Sequence, residues 1–207
     1  MVQNSETTES KRRGRPRAYD PQAALLRAMD AFWKKGYSGT SLDDLSAATG
    51  MNRPSLYAAF GDKRSLYLKA LAHYWQVALD TMRADLADGG PLADSLMRAY
   101  EGALSIYFSG EDEARGCFVV GTAVTEAVED AEIRDSLMRG FLSFDADFKS
   151  RFQAAREKGE LKGDADPAVL ATLATAVMHT IAIRARSGAA RADLREFARK
   201  AIGVLCG

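Results

Sequence analysis

Apolar side chains return every three or four residues along most of the chain, the spacing of helices with one buried face. Near the front, Ala24, Leu25, Ala28, Met29, Phe32 and Trp33 form one such stripe. Leu42, Leu45 and Ala48 form a second, and Leu56 with Phe60 a short third. A longer stripe follows from about Lys63: Leu71, Tyr74, Trp75, Ala78, Leu79, Met82 and Leu86. After Gly89-Gly90-Pro91, helical patterns are expected at 91–108, 114–128, 131–158, 167–187 and 191–205. Alternating runs of Val, Ile and Thr are scarce, so few strands or none are expected. The pattern predicts an all-α fold of about nine helices.

Punctuation sharpens the front. Asp20-Pro21 offers an N-cap followed by a proline at the first helical position, and Gly36 a stop. The next helix opens at Thr40 or Ser41, with Ser41 and Asp44 spaced as a capping box. Gly50 permits a left-handed turn between two crossed helices. Asn52 can cap the third helix, and Pro54 is tolerated in its first turn. Leu56, Phe60 and Tyr57 are expected to pack inward or lean on the backbone, while Arg53, Ser55, Ala58 and Ala59 face out. These residues fit either a helix that enters the major groove by its N-terminal turn or a small surface helix of a helical core.

Charge adds a direction. The formal net charge is zero, yet residues 1–75 carry 12 Lys and Arg against 7 Asp and Glu, and residues 76–207 carry 16 against 21. A basic front meets a polyanion better than an acidic rear does. Residues 1–19 lack apolar periodicity and include Lys-Arg-Arg-Gly-Arg-Pro-Arg from Lys11. This arm is expected to be disordered when free and to lay Arg15 and Arg17 into a narrow minor groove or onto phosphate. Met1–Lys11 has no apolar stretch of a secretory signal. Val169–Ile183, interrupted by Thr172, Thr175, His179 and Thr180, reads as too short and too polar for a membrane span. Two cysteines, Cys117 and Cys206, make no disulfide framework, and no zinc-ligand spacing appears. A cytoplasmic protein without cofactor or metal is expected.

Gly36-Tyr37, Thr40-Ser41, Leu45-Ser46-Ala47-Ala48-Thr49-Gly50, Leu56-Tyr57-x-x-Phe60 and Gly61-Asp62-Lys63, in that order, resemble the DNA-binding domain of TetR-family transcriptional regulators. Gly14-Arg15-Pro16-Arg17 is also common there, and the likeness covers roughly residues 14–75. It implies a basic arm at 1–19, a helix-turn-helix domain at 20–66, and a ligand-binding and dimerisation domain at 67–207. It also implies a homodimer on a palindromic double-stranded operator, released by a small-molecule or electrophile inducer, most often as a repressor. Thr40 with Ser41, Tyr57 and Lys63 resemble the family's phosphate contacts. Asn52, Arg53, Pro54 and Ser55 match its base-reading turn. Ala58 and Ala59 stand where the family often has His or another polar residue.

In the rear, the resemblance implies that the last two helices form a four-helix seam between two subunits, with Leu170, Leu173, Val177 and Ile181 on one and Leu194, Phe197, Ala198, Ala201 and Leu205 on the other; ordinary core packing within one chain fits the same pattern. Met97, Tyr100, Tyr107, Phe118, Phe141, Phe144, Met178 and His179 are candidates for an effector cavity, although core packing explains each of them as well. Arg115-Gly116-Cys117 at a helix start can place a thiol near a cation and a helix N-terminus, both of which favour a thiolate; a buried cysteine that is simply a small hydrophobe explains the position as well. Gly116-Cys117-Phe118-Val119 resembles a stretch of some TetR-like regulators that respond to electrophiles or oxidants through that cysteine. The rival classes are a helical interaction module and a cysteine-dependent enzyme using Cys117 and His179. No nucleophile–base pair, phosphate-cradling loop or metal set recommends an enzyme.

Overall fold

The computed structural model describes residues 20–87, 89–110, 114–161 and 164–207. Among these there are nine α-helices, one short 3-10 turn and no strand. The basic arm, with Arg15 and Arg17, lies outside the described residues.

Helix α1 (Pro21–Gly39) begins as expected: the Asp20 carboxylate accepts from the Gln22 amide at 2.9 Å, with Pro21 at the first position. Its regular path breaks at Gly36, which takes φ 75°, ψ 169°, a conformation natural only to glycine. Helix α2 (Leu42–Thr49) opens with the complete capping box of Ser41 and Asp44. Gly50, at φ 69°, turns the chain into α3 (Arg53–Phe60), which Asn52 caps by accepting from the Ser55 amide at 2.9 Å.

Helix α4 (Lys63–Ala87) has 25 residues and spans roughly 37 Å at the α-helical rise. Its Leu66, Tyr67, Ala70 and Leu71 pack under α1–α3, and Tyr74, Trp75, Ala78, Met82 and Leu86 continue the same face into the rear. The expected boundary at 66 therefore falls inside one continuous helix, and a single cluster of buried side chains runs through both parts.

The rear consists of α5 (Leu92–Tyr107), α6 (Phe118–Thr122), α7 (Ala131–Glu157), α8 (Pro167–Arg186) and α9 (Arg191–Cys206). The expected helix at 114–128 is replaced by the five-residue α6 and a 3-10 turn at Glu126–Val128. The cause is Gly116. It sits at φ 65°, and a Cβ there would stand 2.4 Å from the Ala182 carbonyl of α8. The chain at 114–117 is thus pressed flat against α8, and no helix can pass.

Helix α8 corrects another expectation. By length and composition Pro167–Arg186 is apolar enough to cross a membrane, its threonines and His179 notwithstanding. In the fold it packs on α5, α6, α7 and α9. The expected seam residues also divide. Ile181, Leu194, Ala198 and Leu205 are buried within the chain, and Leu170, Val177, Phe197 and Ala201 are half-buried. Val169, Leu173 and Ile183 on α8 and Val204 on α9 remain half or more exposed.

Gly140 shows how tightly α7 meets α4: a Cβ there would crowd into the Trp75 ring, 2.2 Å from its nearest atom. Gly116→Ala combines a left-handed backbone with a clash against backbone, so it should cost about 2 kcal/mol or more, read as a lowered denaturant midpoint. Gly203→Ala, where a Cβ meets open space, should leave that midpoint unchanged or raise it.

Candidate nucleic-acid interface and effector cavity

The first turn of α3 is a short polar platform on an apolar base. Leu56 and Phe60 are buried, with Leu45 of α2 behind them. Asn52, Arg53, Pro54, Tyr57 and Ala58 are exposed, and Ser55 and Ala59 are half-buried. Ala59 was expected outside, but it packs against the core. Asn52 spends its side-chain carbonyl on the cap and keeps its amide N–H groups for other partners. Arg53 directs its Nε and Nη2 at Asp43 of α2, at 3.2 and 2.7 Å.

The expected phosphate contacts separate. Tyr57, expected to pack inward, is instead 48% exposed beside the platform. Lys63 is half-buried, with its ammonium 4.4 Å from the centroid of the Tyr37 ring; burial lowers its pKa and nearby Glu126 opposes that. Thr40 must be corrected. It is 0% exposed, and its hydroxyl donates to the Gly36 carbonyl at 2.6 Å. That bond clasps the turn between α1 and α2, so the side chain offers nothing to a phosphate. Ser41 is exposed, but its hydroxyl donates to Asp44 at 2.7 Å. Lys35, at 2.6 Å from Asp44, and the Ser41 amide hold that carboxyl well below the usual range.

The candidate effector residues do not all converge. Tyr107, Cys117, Phe144 and Met178 line one small cavity of about 20 Å³. Its other walls come from α4 (Tyr74, Ala78, Thr81, Met82) and α5 (Ala99, Ala103, Ile106). Met97, Tyr100, Phe118, Phe141 and His179 lie elsewhere. The Tyr100 hydroxyl donates to the Ala174 carbonyl at 3.1 Å, Phe118 packs among Trp33, Tyr67 and Tyr74, and Phe141 meets His179 and Trp75. Burial lowers the pKa of His179, which suits a neutral core imidazole. The α4 and α5 wall residues were missed because periodicity marks them as core without saying which core positions leave a gap. Larger hollows of about 890 Å³ beside α1 and about 290 Å³ at the far end of α4 are open surface clefts.

Cys117 is 7% exposed, and the Tyr74 hydroxyl donates to its sulfur at 3.2 Å. Burial raises its pKa, outweighing that hydrogen bond and the backbone amides of Val120 and Val119. Of the two readings of Cys117, burial and a raised pKa favour the small buried thiol over the thiolate. Arg115, expected to favour the anion, instead pairs with Asp30 of α1 at 2.6 Å and lies over the Trp33 ring. The sulfur of Cys117 faces Tyr74 and the ring of His179 faces Phe141, so the two do not make a dyad.

Between cavity and platform runs a set of polar ties. The amides of Arg115 and Gly116 both donate to the Tyr107 carbonyl, at 2.7 and 3.3 Å. Arg186 of α8 donates to the carbonyls of Trp33 and Arg115 at 3.3 and 3.1 Å. Lower down, Arg64 at the start of α4 reaches Asp130 and Glu132 of α7 at 2.6 and 2.8 Å. The Arg64 guanidinium holds the Asp130 carboxyl down at about 2. A raised thiol pKa keeps Cys117 protonated until the pH climbs past the ordinary thiol value. Its alkylation by iodoacetamide, followed by peptide mass mapping, should still be accelerating as pH rises through about 9, beyond the ordinary thiol range; a plateau below about pH 8 would mean a thiolate.

Comparisons with known proteins agree with this geometry. Residues 24–70 match the family described as bacterial regulatory proteins, tetR family, and residues 93–201 match the tetracyclin repressor-like C-terminal domain. The chain is 30% identical over 198 residues to the HTH-type transcriptional repressor ComR of Escherichia coli K12, covering 96% of this chain and 94% of ComR. It is 29% identical over 159 residues to the uncharacterized HTH-type regulator YezE of Bacillus subtilis 168, covering 76% and 81%. A solved structure of a cysteine mutant of the TetR-family regulator CifR, complexed with 26-base-pair operator DNA, superposes with a TM-score of 0.81. It is 33% identical, with 91% of this chain and 98% of that one covered. Both halves of the fold and the platform they carry therefore have one origin: the chain belongs to the TetR family of DNA-binding transcriptional regulators.

Proposed function

We propose that this regulator is a homodimeric repressor that binds a palindromic operator and is released when a small apolar molecule opens the cavity beside Cys117. The observation that carries the DNA-reading part is the platform of Asn52, Arg53, Pro54 and Tyr57, exposed on one turn above buried Leu56 and Phe60. Residues 20–66 form the reading unit and 67–207 the sensing and pairing unit. Arg53 and the amide of Asn52 face base edges. Tyr57 and Lys63 hold phosphates on either side, and Arg15 and Arg17 of the arm add minor-groove or phosphate contacts.

Pairing is supported by what the chain leaves uncovered. Val169, Leu173, Ile183 and Val204 line α8 and α9, and Met138 and Leu142 lie exposed on α7. A second copy burying these side chains gains roughly 25 cal/mol per Å² of apolar surface removed from water. The dimer then sets the two α3 platforms about 34–36 Å apart, one helical turn of DNA.

Release follows from the size of the cavity. Effector sites usually offer about 300–1,000 Å³, so a ligand entering a cavity of about 20 Å³ has to push its walls apart. One wall is α4, whose front end carries the reading unit, and another includes Tyr107, tied through Arg115 to Asp30 of α1. The ligand favours the open state because only that state has room for it, which is the differential affinity any switch needs. A buried, protonated Cys117 supports a non-covalent apolar inducer over an electrophile. Work on DNA, together with cysteines left unpaired, favours the reducing cytoplasm as its compartment.

A salt titration on an operator recovered from genomic fragments tests the reading. Affinity should fall steeply with salt and exceed that for random duplex by at least about a thousandfold. Lys63→Ala should weaken all sequences alike and lower the salt slope by about two for the dimer, one phosphate contact per subunit. Arg53→Ala should cost about 1–3 kcal/mol at one position of each half-site. Equal binding to every duplex, or a single subunit in sedimentation at working concentration, would refute the proposal. At neutral pH, where Cys117 stays protonated, iodoacetamide should release wild type and Cys117→Ser equally little; release of the wild type alone at that pH would make the inducer an electrophile.

A further inference from the structure

Asp43 is a charge in the wrong place for a protein that grips a polyanion. It lies in the first turn of α2 with 77% of its side chain exposed, beside the α3 platform. It is not needed to start the helix, because Ser41 and the neighbouring Asp44 form the capping box. Among the described residues its side-chain hydrogen bonds go to Arg53 alone, whose pKa they raise.

The way the two side chains meet is informative. One oxygen of Asp43 accepts from both Nε and Nη2 of Arg53, at 3.2 and 2.7 Å. That uses the lateral edge of the guanidinium. A guanidinium has five N–H donors, so the end edge, formed by Nη1 and the second N–H of Nη2, stays open. It is the end edge that fits the O6 and N7 acceptors of guanine in a two-pronged contact. An arginine on a free stem would swing to the nearest phosphate, which carries no sequence information. Held by its lateral edge on Asp43, Arg53 has its exposed side chain fixed at one end while the other edge of the guanidinium stays free.

We propose that Asp43 is the positioning residue that makes Arg53 a guanine reader, and hence that each operator half-site carries a G·C pair opposite Arg53. This rests on the base-reading role given to Arg53 above. Asp43 gives up attraction for DNA in general and gains discrimination at one base pair. Its repulsion of the phosphates also keeps the unpinned, sequence-blind mode of Arg53 costly.

The test uses the full chain and the selected operator, with every base pair of the half-sites changed in turn and affinity measured at fixed salt. For the wild type, one G·C position should show about a ten- to hundredfold loss on substitution that Arg53→Ala abolishes. Asp43→Asn, which keeps shape and removes charge, should abolish most of the preference at that same position and leave the others intact. Its affinity for random duplex should rise. The double variant should discriminate no less than Arg53→Ala alone, because the two side chains act as one unit. Full preference retained in Asp43→Asn would overturn the proposal and reduce Asp43 to a repelling charge. A read pair other than G·C would overturn the end-edge assignment. If Arg53→Ala changed no position at all, the base-reading role itself would fail, a result distinct from failure of Asp43→Asn alone.

Discussion

The packing of α4 against an aromatic cluster that belongs to both halves of the molecule governs the rest of this structure. Tyr67 meets Phe32 at 5.2 Å between ring centroids and Tyr37 at 4.8 Å; further along the same helix Tyr74 meets Trp33 at 5.3 Å. Phe118 of α6 touches Trp33, Tyr67 and Tyr74. Several of these pairs meet edge to face, an arrangement aromatic quadrupoles favour, and most of the rings are wholly buried. A close-packed interior transmits displacement instead of absorbing it. Helix α4 therefore has little freedom to tilt at its cavity end without carrying α1 along, and the α3 platform packs on α2 and on α4 itself.

The polar ties act on the same joint. Arg115 to Asp30, Arg186 to the Trp33 carbonyl, and Arg64 to Asp130 join the rear to the front at three levels. Exposed ion pairs contribute little stability, and Arg64 lies in that category. Arg115 differs: its side chain is 15% exposed, it covers the Trp33 ring, and its backbone is fastened to Tyr107 at the cavity wall. Through Arg115 one wall of the cavity is joined to α1.

Much of the reading end was legible in the sequence because its determinants are local. Asp20-Pro21, Ser41 with Asp44, Gly50 and Asn52 each act on near neighbours in the chain, and each forms the cap or turn its chemistry predicts. Thr40 misled because the resemblance gave it a partner in DNA, whereas the turn it belongs to folds its hydroxyl onto Gly36. Helix 114–128 misled for the opposite reason. Its apolar residues keep a helical rhythm, but at Gly116 the chain takes a positive φ against the Ala182 carbonyl, far along the chain on α8. The thiolate reading of Cys117 failed likewise: Arg115 is close in sequence but turned toward Asp30, and burial decides the protonation state.

The sequence by itself determined the all-helical class and the caps and turns that bound α1, α2 and α3, since periodicity and capping are properties of neighbouring residues. Only the tertiary structure decided that Tyr107, Cys117, Phe144 and Met178 surround the cavity while the other candidates do not, how small that cavity is, and that Asp43 holds Arg53. Those are facts about gaps and contacts between helices distant in the chain or crossed in space. Spacing along a sequence records which face of a helix is buried; it does not record what that face meets.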